Sequence, residues 1–128
     1  MSYCAQIIEN NIYFKREDII KLMKKVKKDI KNGKIKADRA FKEEVLACKN
    51  PAELFEAFGF ELDEDETSYF LSDEVELIIN RYELPFLQSV AEFANDGYIE
   101  YSGEDGKRWR YVFKNGQCKK ITPKIIWE

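Results

Sequence analysis

The sequence predicts a single α+β domain over residues 1–128: a two-layer sandwich, an antiparallel sheet with helices on one face, ferredoxin-like with additions. Three observations lead there. The last quarter reads as consecutive hairpins, which must pair antiparallel. Residues 15–58 carry apolar side chains at three- and four-residue steps, the helical period. The 128 residues are 45% hydrophobic and include nine Phe, seven Tyr and two Trp, enough for one core and too apolar for a disordered chain.

The elements follow in order. Residues 3–8 are expected as a first strand, apolar on both faces and so central or covered. Asn10-Asn11 signals a turn or bulge, and residues 12–14 read as an extension beyond it. Residues 15–31 predict a helix. Ile19, Leu22, Met23, Val26 and Ile30 form its apolar stripe, Glu17 and Asp18 suit its first turn, and Asn32-Gly33 stops it. Its other face is lysine: 21, 24, 25, 27, 28 and 31. Asp38 caps a second helix running to about Cys48, with Phe41, Val45 and Leu46 inward. Asn50-Pro51-Ala52-Glu53 starts a third, with Asn50 as cap, Pro51 at the first position and Glu53 completing a capping box; Gly59 ends it.

Residues 60–62 and 67–71 read as strands around an acidic turn, and residues 75–79 as another short strand. A last helix begins near Glu83-Leu84-Pro85, carries Phe86, Leu87, Val90, Phe93 and Ala94, and ends at Asp96-Gly97. Residues 98–101, 107–114 and 117–121 form a meander, with residues 125–127 closing the chain. In the middle strand Trp109, Tyr111 and Phe113 share one face, while Arg108, Arg110 and Lys114 share the other with Val112. Asn115-Gly116 is a two-residue hairpin turn.

The net charge of −3 hides a segregation. Residues 1–39 hold 11 Lys/Arg against 5 Asp/Glu, residues 40–105 hold 3 against 18, and residues 106–128 hold 7 against 1. Such a chain can present opposite electrostatic faces, which favours binding over chemistry. The absence of histidine removes the usual general base near neutral pH and every Ser-His, Cys-His and His-metal arrangement. Cys4, Cys48 and Cys118 lie far apart without CxxC spacing, so they read as reduced, small apolar residues rather than zinc ligands or a disulfide framework. The expectation is a non-enzyme with no metal and no cofactor. No apolar run is long enough to span a bilayer and no secretory signal is visible, so a cytoplasmic protein is expected.

The segment Gly97-Tyr98-Ile99-Glu100-Tyr101-Ser102-Gly103-Glu104-Asp105-Gly106-Lys107-Arg108-Trp109-Arg110, with the Ile-Trp ending, resembles small proteins of Gram-positive phages and mobile elements. The resemblance covers about the last quarter of the chain. It implies a genomic setting; it brings no catalytic residues.

Four constellations carry the candidate function. Asp63, Glu64, Asp65 and Glu66, in the acidic run 61–66, can imitate phosphates and dock on a basic surface; an ordinary solvated turn is the simpler reading. Lys24, Lys25 and Lys28 with Arg108 and Arg110 can bind nucleic acid if helix and sheet face the same side, though a solvated helix face is the plainer account and the pI of about 5.2 argues against it. Arg108-Trp109-Arg110 offers arginine forks and an aromatic for a partner or a homodimer, against ordinary solvent-facing arginines. Asp105-Gly106-Lys107, with Asp96 upstream, matches part of a metal-nuclease motif, but the turn has its own explanation: Gly103 and Gly106 permit positive φ and the acids stay solvated. The reading is a binding protein that occupies a protein partner with a basic surface, for instance a nucleic-acid-binding protein. It points to an inhibitor of a host defence or nucleic-acid-processing protein, with a nucleic-acid-binding module as the alternative.

Overall fold

In the computed structural model, residues 3–72, 76–78 and 81–124 are described. The strands form two antiparallel sheets. The larger has the order β5-β1-β6-β7-β8: β1 (Cys4–Asn10), β5 (Glu76–Ile78), β6 (Gly97–Gly103), β7 (Arg108–Lys114) and β8 (Gln117–Ile121). The smaller has the order β2-β4-β3: β2 (Tyr13–Lys15), β3 (Leu62–Glu64) and β4 (Ser68–Leu71). The helices are α1 (Ile19–Lys31), α2 (Arg39–Leu46), α3 (Pro51–Ala57) and α4 (Glu83–Val90). The α+β class holds. Relative to a ferredoxin-like outline, β6, β7 and β8 are consecutive neighbours, and the addition is the second sheet.

Local chemistry explains most boundaries. Asp38 accepts the Phe41 amide at 2.8 Å and Asn50 accepts the Glu53 amide at 2.9 Å, so both expected caps form. Glu53 reaches back to the Lys49 amide at 3.1 Å, one residue before the cap. Asn115 and Gly116 have φ of 52° and 75°, the two left-handed positions a tight hairpin turn requires. The first helix is shorter than expected because Arg16–Asp18 forms a 3-10 turn before α1. Residues 13–15 do not extend β1. After Asn10-Asn11 the chain leaves the large sheet, and β2 pairs with β4. Residues 75, 79 and 125–127 of the expected strands lie outside the described residues.

One core cluster joins both sheets to the helices. In β7, Trp109, Tyr111 and Phe113 are buried while Arg108, Arg110 and Lys114 are exposed, as the alternation predicts. The covered face lies under α4, which packs on β8, and α1 packs on α4. Phe55, Phe58, Phe60 and Phe86 meet in edge and stacked pairs at centroid distances of 4.2–5.7 Å. This geometry adds to the area they bury. The other face of the large sheet, with exposed Arg108, Arg110 and Lys114, is open among the described residues.

Candidate functional site

The acidic run is divided between strand and turn. Asp63 and Glu64 belong to β3, while Asp65 and Glu66 lead to β4. All four are exposed, but three have internal work. Asp65 Oδ1 accepts the Thr67 and Ser68 amides at 2.9 and 2.8 Å, and these bonds hold its carboxyl below the usual range. Glu64 pairs with Arg16 at 2.9 Å, and the Arg16 Nε donates to the Asp65 carbonyl at 2.7 Å. The Arg16 guanidinium also lies 4.8 Å over the Tyr69 ring. Asp63 accepts from the Ser72 hydroxyl at 2.6 Å. The hairpin is therefore stiff rather than a loose acidic loop.

Cross-strand register builds a face on this small sheet. Tyr13, Phe70 and Asp63 are direct neighbours across β2, β4 and β3. They border a cleft of about 430 Å³ that also meets Asp65, Asn10 and Asn11. Tyr13 is 44% exposed, one of the few large apolar groups open to water among the described residues. Aromatic rings beside carboxylates suit a cationic side chain, which gains ring contact and an ion pair together. Tyr13 and Phe70 were not among the expected site residues. Nothing local in the sequence joins Tyr13 to Asp63, since 46 residues separate β2 from β3.

The open face of the large sheet holds Arg108 and Arg110. A row of Glu9, Glu100, Arg110 and Ile121 runs across β1, β6, β7 and β8. Two carboxylates face each other in that row, which alone would repel. Arg110 Nε bonds Glu100 at 2.6 Å and stacks 4.3 Å over Tyr98, whose hydroxyl donates to Glu9 at 2.6 Å. Arg108 reaches the same Glu100 at 3.4 Å. Both arginines thus share one carboxylate and keep other N–H groups toward solvent. Beside them a shallow cavity of about 320 Å³ is bounded by Ile121, Thr122 and Pro123. Glu100 was missed, though counting back from the turn to its Arg110 register would have found it. Trp109 is 7% exposed and stacks on Tyr101 at 5.1 Å, so its ring belongs to the core side.

No family model, curated protein or solved structure matches the chain. The site is therefore read from its own residues.

The basic candidates do not meet. Lys24 and Lys28 are exposed on α1, on the helical side, whereas Arg108 and Arg110 lie on the opposite, open sheet face. The condition for one nucleic-acid patch fails. Lys25 is also engaged: it pairs with Asp29 at 2.8 Å, and Asp29 accepts the Ser89 hydroxyl of α4 at 2.7 Å. Lys27 donates to the Cys48 carbonyl at 2.6 Å.

The metal-nuclease fragment fails on position. Asp96 and Asp105 flank opposite ends of β6. Asp105 accepts the Tyr3 hydroxyl at 2.6 Å and the Lys107 amide at 3.1 Å, a turn lock that pushes the Tyr3 phenol up to about 12. Gly106 has the expected positive φ of 82°, but Gly103 does not; there a Cβ would meet the Tyr3 hydroxyl at 1.8 Å. Among the described residues no group of His, Cys, Asp and Glu could hold a metal ion. Nor, among them, is any helix long and apolar enough to cross a membrane.

Proposed function

We propose that this protein is a non-catalytic, cytoplasmic binding protein of a phage or mobile element, which occupies a basic protein surface through its small sheet. Asp63, Glu64 and Glu66 supply the charge, Asp65 holds the hairpin in shape, and Tyr13 and Phe70 supply apolar contact. The observation that supports this reading most is the stiff acidic hairpin set beside an aromatic cleft on the same face. A preorganised charged surface loses less entropy on docking than a flexible acidic loop. Within this reading the partner is a host defence or nucleic-acid-processing protein, whose own nucleic-acid site is basic. Arg108 and Arg110 provide a second contact or a homodimer contact.

The alternative, a nucleic-acid-binding module built on Lys24, Lys25, Lys28, Arg108 and Arg110, is weakened by their division between two sides of the molecule. The test is a pull-down from nuclease-treated bacterial lysate with the wild type and an Asp63→Asn/Glu64→Gln/Glu66→Gln variant, Asp65 being left to cap the turn. A protein held by the wild type and lost with the variant is the expected result. Equal recovery with both would sink the acidic-surface reading. Nucleic acid recovered from untreated lysate, with steep loss as salt rises, would move the function to the lysines of α1.

A further inference from the structure

Glu83 opens α4 and is 3% exposed, yet no lysine or arginine among the described residues lies within ion-pair distance of it. One carboxyl oxygen, Oε1, accepts the Tyr101 hydroxyl; the other, Oε2, has no partner among the described residues. The titratable groups facing it come from three strands: Tyr101 on β6, Tyr111 on β7, and Lys120 on β8, with Cys118 beside the two tyrosines. Lys120 itself sits 5.2 Å over the Trp109 ring. On the helical side, Asp29 is occupied further along α4 by Lys25 and Ser89, and Arg81 is paired with Asp38. A carboxylate in this setting would lose its hydration for phenol hydroxyls alone, with no cation paired to it. A proton on the unpartnered oxygen removes that charge and leaves only a neutral hydroxyl unsatisfied.

We propose that the Glu83 carboxyl is held neutral by this aromatic cluster and acts as a proton-dependent latch between the first turn of α4 and the β6–β8 meander. Burial pushes the group up to about 7, against an unfolded value of 4.5; the Tyr101 bond, Lys120 and the Tyr111 hydroxyl oppose the shift without cancelling it. The folded form therefore holds the proton more tightly than the unfolded one. The stabilisation is fully present below about 4.5 and is lost as pH rises toward 7, a fall of about 300-fold in the folding equilibrium constant. Ionisation loosens the first turn of α4 from the sheet and admits water to Trp109.

A Trp127→Phe background leaves Trp109 as the sole tryptophan and its emission as the reporter. The expected result is a native-state emission change with a midpoint near 7, and a Tm that falls between about pH 4.5 and pH 7 and levels off above it. Adding Glu83→Gln should abolish both and raise the Tm at about pH 8. A flat wild-type response, or the same transition in the Gln variant, overturns the latch. Should the Gln variant not fold, the 13C shift of the Glu83 carboxyl in the unsubstituted protein decides. A midpoint near 7 supports the proposal, and one in the ordinary range near 4.5 overturns it.

Discussion

Asp29 is a buried acid that keeps its charge, the opposite outcome to Glu83 on the same layer of helices. Burial raises its pKa, but the hydrogen bonds from Lys25 and Ser89 outweigh it and the net shift is downward. The lysine paired with Asp29 at 2.8 Å, where Glu83 has only phenols, decides between these carboxyls. Asp29→Ala is expected to cost about 2 kcal/mol in denaturant unfolding, because it leaves Ser89 without its acceptor. Asp29→Asn, which keeps an acceptor for Ser89, should cost roughly half that. The sign in pH follows from the lowered folded pKa. Asp29 contributes stability above its unfolded value of 3.8 and loses it as pH falls through the folded value, so Asp29→Asn should flatten the acid limb of the stability curve. Gly103→Ala is expected to displace Tyr3 from Asp105 and cost about 1 kcal/mol, read as a lower Tm, because the added Cβ overlaps the Tyr3 hydroxyl.

At the scale of elements, the parts legible in the sequence are those governed by neighbours in the chain. Asn50 and Asp38 cap helices three residues ahead, Asn115-Gly116 turns a hairpin over two residues, and β7 sorts its side chains by simple alternation. Either cap replaced by alanine should lower stability by about 1 kcal/mol. What was not legible depends on distant partners. β2 reads as more of β1 because only Asn11 and Ile12 lie between them; only pairing with β4 separates them. The acidic residues were visible as a run, but Arg16 and Ser72, which organise them, carry no pattern that points to the hairpin. Glu83 reads as a helix first-turn acid of the usual kind, and its burial follows from tyrosines contributed by two later strands. Arg16→Ala should therefore loosen the acidic hairpin, measured as faster amide exchange at Thr67 and Ser68, while leaving the α2 and α3 caps unchanged.

For the whole molecule, the opposing carboxyls predict a stability maximum on the acidic side. As pH falls below the unfolded value of 3.8, the stability contributed by the lowered acids Asp29, Asp65 and Asp105 is lost. Above 4.5 the ionisation of Glu83 removes about 3 kcal/mol by the time pH passes 7. Chemical denaturation across that range should show the optimum near pH 4–5 rather than at neutrality. That optimum lies close to the pI of about 5.2, where the chain carries little net charge and self-association is favoured, so the most stable condition is not the most soluble one. The strand order has a consequence for synthesis. β1 is made first, yet its two neighbours are β5 and β6, with Ala5 opposite Leu77 and Gly103. On the ribosome the first strand must wait, unpaired, until most of the chain has emerged, while α1, α2 and α3 can form as it appears. A nascent chain stalled before Gly97 lacks the central strand of the large sheet, so that sheet stays open, and β1 exposed to proteases and chaperones, until β6 has emerged.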